Sequence, residues 1–266
     1  MKWSSDAVLS FGSADVARWL GEFFWPFVRT LALFAAAPGF NSVAIPARAK
    51  VALAFVIALL VGGMVNQSAP LEMSAAAAVL VVEQILVGLA MGFAMQLALA
   101  AMAFAGDFVG IQMGFGFASL FDIQSGFSVP VMSNFFSLVG LTLFLTLNGH
   151  LVLLGALVKS FEIVPVAVGS GIAHVGWGTL AGAGGVLFEM GVWLALPVIA
   201  VLLAAHLAIA MVSRVAPQIN VMSVGFSVFL WVGIAATVTL VPYFVPAVEH
   251  MIATGLALAG AAVAGR

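Results

Sequence analysis

Long uncharged apolar runs dominate this chain and decide what it can fold into. About 20 apolar residues in a helix cross the hydrocarbon core of a membrane. The runs are continuous and do not alternate over about 10 residues, which excludes a transmembrane barrel. The sequence therefore predicts an all-α integral membrane protein, a single membrane domain over residues 1–266 with about six long helices. The six segments are 16–37, 46–65, 73–105, 131–158, 179–212 and 224–262.

The lengths of these segments do not suit six ordinary membrane spans. The third and fifth exceed 30 residues, or about 50 Å as helix, against a hydrocarbon core of about 30 Å. Pro197 lies in the fifth segment, and Pro242 and Pro246 lie in the sixth. Proline inside a helix kinks or ends it. We therefore expect partly kinked helices, some of which pack on protein and not on lipid.

The residues that carry chemistry are scarce. Only 7% of the chain is charged, the net charge is −2 and cysteine is absent, so nothing favours a nucleic-acid partner, a disulfide or a thiolate site. No phosphate-binding or hydrolase motif occurs. The histidines do not have the spacing that a helical metal site needs. We predict no catalytic, cofactor-binding or metal site, and therefore no enzyme. The histidines are His150, His174, His206 and His250.

Three ionisable residues interrupt the apolar runs. Arg29, Glu83 and Glu189 lie in different segments. A charge at membrane depth is costly, and it marks a functional site or a pairing site. Because the three are scattered, they favour pairing between helices or subunits over a proton relay. We predict that Arg29, Glu83 and Glu189 make polar contacts between subunits.

Glycines recur at helical spacing in two places. Gly88 and Gly92 are four residues apart, and the same spacing relates Gly106, Gly110 and Gly114. Small residues at this spacing let helix backbones approach closely in lipid. The second set has a further interpretation, that the chain leaves its helical path there, because glycine tolerates positive φ.

A polar stretch, "SLFDIQSGFSVPVMSNFF" (119–136), lies between two strongly apolar segments. Irregular backbone at membrane depth is tolerated only where it is buried in protein or lines a water-filled cavity. An ordinary solvent loop with incidental aromatic residues is the alternative. From these residues alone, the chain is a channel or transporter subunit, or a structural subunit of a larger membrane machine.

Three stretches resemble one family. They are "FWPFVRTLALFAAAPGFNSVAIPARAKVALA" (24–54), the region 114–166 with its "LNGH" and "SFEIVPV" runs, and "SRVAPQINVMSVGF" (213–226). Each is similar to the corresponding stretch of the FliR family of flagellar type III export gate components. Together they cover over a third of the chain at the spacing that the family shows.

The resemblance implies a fold and a role. Residues 1–160 would resemble the partner protein FliP, and residues 175–266 the helical hairpin of FliQ. The protein would be a non-enzymatic, cofactor-free subunit of the export gate, in the bacterial inner membrane at the flagellar basal body. With FliP and FliQ it would enclose the pore for unfolded flagellar subunits, with FlhB and FlhA as further partners and lipid around it. The alternative is a stand-alone secondary transporter or channel subunit.

The resemblance also assigns roles to residues. It implies that a loop from about residue 106 to residue 130 lies across the pore as a plug. It also implies that the turn between the last two long helices faces the cytoplasm. The predicted plug residues are Gly110, Gly114, Phe115, Gly116, Phe117, Phe121, Asp122 and Gln124, and those of the turn are Arg214, Pro217, Gln218 and Asn220.

Overall fold

A computed structural model describes residues 13–42, 45–64, 75–116, 130–167, 175–216 and 221–265. Within these ranges the chain forms seven α-helices and no strand, which confirms the predicted all-α class. The helices are α1 (Ser13–Ala36), α2 (Ala47–Met64), α3 (Ala75–Gln112), α4 (Val131–Thr146), α5 (Gly149–Ile163), α6 (Trp177–Val215) and α7 (Val221–Ala264).

Four described helices are long and apolar enough to cross a membrane. They are α2, α3, α6 and the Gly225–Ala264 part of α7, and the pair α4 and α5 adds a fifth span if it is counted as one. The protein is therefore a multi-pass membrane protein. Helix α3 has 38 residues, α6 has 39 and α7 has 44, which at about 1.5 Å per residue makes each more than about 55 Å long. The internal prolines of α6 and α7 do not end these helices.

The fourth apolar segment is broken into two helices, where the sequence predicted one. Helices α4 and α5 meet at a 64° bend, and Asn148 between them has a φ of 58°. Asparagine tolerates this left-handed conformation better than most residues. Gly149 follows directly, and a Cβ there would collide with the ring of Phe144. The "LNGH" run is thus a break in a helix.

The chain contacts group into two compact units that alternate along the sequence. The first contains residues 1–93, 154–179 and 259–266, and the second contains 94–153 and 180–258. The assignment of residues 1–160 to a FliP-like part and of 175–266 to a FliQ-like part stays a prediction.

In the first unit, glycines bring the helix backbones into contact. A Cβ on Gly88 would collide with the carbonyl oxygen of Arg29, and one on Gly92 would lie 2.6 Å from the carbonyl oxygen of Leu33. Helix α3 therefore packs directly on the backbone of α1. This confirms the predicted role of the first glycine pair in helix packing.

A glycine of α2 also lies close to the backbone of α1, at the carbonyl group of Glu22. Pro26 lies inside α1, and because proline has no N–H it leaves the carbonyl of Glu22 without its usual helical donor. A Cβ on Gly62 would lie only 2.6 Å from that carbonyl oxygen. Helix α2 therefore approaches α1 closely at a point where proline has freed a backbone acceptor.

In the second unit, two methionines of α3 and the methionine directly after it fill the space above glycines. Met95 packs on Gly255, Met102 on Gly140 and Met113 on Gly233. All three methionines are fully buried. The flexible thioether side chain adapts to irregular gaps, so at these three positions the glycines meet side chains that can adjust.

We expect the substitution Gly88→Ala to destabilise the protein by about 1–3 kcal/mol, the usual range for overpacking. The new methyl group meets the backbone of α1, which cannot yield as a flexible side chain does. Gly155→Ala is the matched control, because Gly155 is exposed on α5 with open space around it. Thermal unfolding of both variants in detergent measures the difference, and equal midpoints would contradict the assigned packing.

Candidate functional site

The C-terminal end of helix α3 forms the base of the predicted plug. Helix α3 continues to Gln112, so the expectation that the loop begins near residue 106 is wrong. A Cβ on Gly106 would lie 2.5 Å from the carbonyl oxygen of Met132, and one on Gly110 would lie 3.3 Å from the Met132 Cβ. These two glycines pack α3 against α4. Gly110 is therefore a helical packing residue at the base of the loop.

The chain leaves the helical path at Gly114. The N–H of Met113 still donates to the carbonyl oxygen of Val109 at 2.9 Å, and that of Gly114 to Ile111 at 3.1 Å. Gly114 then has a φ of 87°, a conformation that favours glycine. The interpretation that the second glycine set marks a departure from the helix is therefore correct at Gly114. Gly116 does not have a positive φ.

Both ends of the segment between α3 and α4 are fixed. Met113 is fully buried against Gly233 of α7. On the other side, the Ser133 hydroxyl donates to the carbonyl oxygen of Ala103 at 2.9 Å. The first turn of α4 closes on Pro130, whose carbonyl accepts from the N–H of Asn134 at 2.9 Å. The segment thus starts and ends on one anchored pair of helices.

The outer part of the predicted plug lies outside the described residues. Phe115 is half-buried and Gly116 is exposed. A Cβ on Gly110 would lie 4.0 Å from the Cδ2 atom of Phe115. The predicted plug residues Phe117, Phe121, Asp122 and Gln124 all fall in 117–129, for which the structure gives no description. Their role stays a prediction.

Arg29 is held entirely within the chain, so the prediction that it contacts another subunit is wrong. Its side chain is fully buried. Its guanidinium group donates to Gln84 Oε1 at 2.8 Å, to Ser160 Oγ at 2.9 Å and to the carbonyl oxygen of Val164 at 3.0 Å. It also lies 3.8 Å from the ring centre of Phe161, a cation–π distance. Arg29 therefore joins α1 to α3, α5 and the segment after α5.

The other two isolated carboxylates differ from each other. Glu83 is 1% exposed, so its side chain is enclosed by this chain, and the prediction of a contact to another subunit is wrong there too. Glu189 is exposed on α6, and its contact with another subunit stays a prediction. The partners of Arg29, namely Gln84 and Ser160, were missed, although a glutamine directly after Glu83 and the serine of "SFEIVPV" are both polar residues in apolar runs.

The predicted hairpin turn is only partly described. Helix α6 ends at Val215 and α7 begins at Val221, so the two helices are joined by a short connection, as predicted. Arg214 is exposed in the last turn of α6. Pro217, Gln218 and Asn220 lie outside the described residues. Within the described ranges, no three His, Asp or Glu side chains come together as they would around a metal ion.

The long apolar helices, the buried polar contacts and the anchored segment define a polytopic all-α membrane protein. Residues 20–255 match the model of the family described as "Bacterial export proteins, family 1". The chain is 42% identical to the flagellar biosynthetic protein FliR of Pectobacterium carotovorum subsp. carotovorum and 38% identical to that of Escherichia coli (strain K12). Each comparison covers 92% of this chain and 93% of the relative. The FliR protein of Bacillus subtilis (strain 168) is 30% identical over 75% of this chain and 78% of its own length.

The chain therefore belongs to the FliR family of bacterial export proteins. It is a component of the flagellar export apparatus.

Proposed function

We propose that the protein is a non-enzymatic subunit of the flagellar type III export gate and that its segment between α3 and α4 closes the pore. The observation that carries this proposal is the anchoring of both ends of that segment. Met113 and Ser133 hold the two ends, and Gly114 provides a left-handed turn between helix and loop. A segment anchored in this way can change its conformation while the helices stay in place.

The described part of the segment suits a hydrophobic closure. Phe115 follows the left-handed Gly114 directly, and Phe117 and Phe121 follow in the sequence. Narrow apolar constrictions block ions because water does not fill them. Aromatic side chains on a segment that follows a glycine hinge can therefore exclude ions when no substrate is present.

The proposed partners are those of the FliR family. In this proposal one copy of the chain joins several copies of FliP and FliQ in the bacterial inner membrane, within the flagellar basal body. FlhB and FlhA are further partners, and unfolded flagellar subunits pass through the pore. Family membership supports this assignment. The large exposed apolar surfaces of α6 and α7, including Trp193, Trp231 and Tyr243, supply area for neighbouring subunits as well as for lipid.

Purification of the affinity-tagged chain from bacterial membranes tests the proposal. Intact-mass measurement of the detergent-solubilised complex should find several copies of two small membrane proteins for each copy of this chain. A chain that is monomeric and supports flagellar export without such partners would contradict the assignment and favour a stand-alone transporter.

We expect a cysteine at position 218 to react only with reagents that reach the cytoplasm, since Arg214 is four residues before it in the sequence and positive charge favours the cytoplasmic side. The chain has no native cysteine, so Gln218→Cys gives a single reactive thiol. Trp177→Cys is the matched control, because Trp177 is exposed at the opposite end of α6. Labelling of position 218 by an impermeant reagent in intact cells would contradict the predicted orientation.

A further inference from the structure

A cleft in the second unit lies between α6 and α7, outside the proposed plug. Its volume is about 510 Å³. Apolar side chains form most of its wall, among them Val186, Trp193 and Met251. Two ionisable side chains, Glu189 and His250, also line it, one from each helix. The cleft is therefore an apolar recess with a carboxylate and an imidazole at its wall.

The two ionisable side chains of the cleft have no polar partner in the described part of the chain. Glu189 and His250 are both exposed, and neither side chain makes a hydrogen bond or an ion pair to another described residue. A carboxylate on an apolar membrane helix is costly and is normally paired. An exposed carboxylate on an apolar helix therefore suits a cation from another molecule.

We propose that this cleft receives the lysine or arginine side chain of a membrane helix from a neighbouring subunit. The apolar wall suits the methylene stem of such a side chain, which buries its carbons while its charged end reaches a polar group. Glu189 would pair with the charge, and the ring of Trp193 offers a face for a cation–π contact. The neighbour's identity as a gate subunit rests on the proposed function.

The surface beside Glu189 favours a helix over a lipid headgroup as the occupant. Gly178, Gly182 and Gly185 precede Glu189 at spacings of four, three and four residues, which places them on one face of α6. A Cβ on any of the three would meet no atom within 4 Å. Such a face admits the backbone of a second helix at short distance, whereas a headgroup needs no groove of this kind.

Charge reversal at the cleft tests the pairing. We expect Glu189→Lys to lower the amount of gate subunits that copurify with the chain about tenfold, because like charges then meet at a partly desolvated contact. Glu249→Lys is the matched control. Glu249 is also an exposed carboxylate and is adjacent to His250 on α7, but it does not line the cleft. The control should retain its partners within about twofold, since exposed charges contribute little.

A photo-crosslinking residue in place of Trp193 identifies the occupant. We expect a crosslink to a membrane helix that carries lysine or arginine, and we expect replacement of that residue by glutamate to restore assembly of the Glu189→Lys variant. Crosslinks to phospholipid alone or to a second copy of this chain would overturn the proposal, as would full assembly of Glu189→Lys. If the unmodified chain itself captures no gate subunit, the proposed function fails instead.

Discussion

Deletion of Phe115 to Phe117 will make the membrane conduct small ions while export of flagellar subunits continues. Phe115 directly follows the left-handed Gly114 at the base of the segment. Each aromatic ring fills about 150–250 Å² of contact surface, and in the proposed closure their loss lets water and ions into a passage that they otherwise keep dry. In the proposed closure the rings only block the passage, so we expect transport itself not to require them. Membrane conductance and secretion of a hook subunit, measured in the same cells, test both parts.

A stiffened hinge should have the opposite effect. Gly114→Val places a β-branched residue at a φ of 87°, at a cost of about 1–3 kcal/mol. We expect slower export with the ion seal intact. Gly116→Val is the matched control, because Gly116 has no positive φ and a Cβ there meets no atom within 4 Å. Loss of export without any leak in the phenylalanine deletion, with the gate still assembled, would show that the segment is a structural strut.

The variant Arg29→Met will lose about 3–5 kcal/mol of stability, because each buried acceptor that is left without its donor costs about 1–3 kcal/mol. The guanidinium group holds the side chains of Gln84 and Ser160 and the carbonyl of Val164. Methionine leaves all three acceptors without that donor in a fully buried position. We expect little folded protein in the membrane, measured by yield and by the unfolding midpoint of what remains.

Two further variants separate burial from charge. Arg48→Met removes an exposed arginine at the start of α2, and we expect its stability to stay within about 0.5 kcal/mol of the parent. In the double variant Arg29→Met, Gln84→Leu, the stranded amide is also removed, and part of the lost stability should return, since apolar groups replace buried polar ones at low cost. If Arg48→Met lost as much stability as Arg29→Met, the buried contacts of Arg29 would not explain the loss.

Features of the fold that depend on neighbouring residues in the chain could be predicted from the sequence. The apolar runs define the helices, and the spacing of Gly88 and Gly92 predicts a packing face that α1 occupies. The departure at Gly114 was also predictable, because glycine is the residue that adopts positive φ most readily. In each case the cause lies within a few residues of the feature.

Features that depend on distant residues could not be predicted in this way. Arg29 has partners in three other segments, and nothing near residue 29 indicates them. Gly106 and Gly110 follow the same pattern as Gly114, yet they lie within α3, where the distant residue Met132 packs on them. The break at Asn148 does have a local signal, since Asn-Gly is a common turn pair. The pair lies inside a long apolar segment, which favoured a single continuous helix.

The close approach of Gly62 to the carbonyl of Glu22, which Pro26 leaves without a helical donor, has a consequence for how the family can vary. Proline at one position frees the carbonyl of Glu22, and glycine at the other leaves room for α2 to lie against it. A residue with an N–H at position 26 would restore the helical hydrogen bond of that carbonyl. A larger residue at position 62 would push the two helices apart. The two positions are therefore coupled. We expect relatives either to keep both residues or to change both.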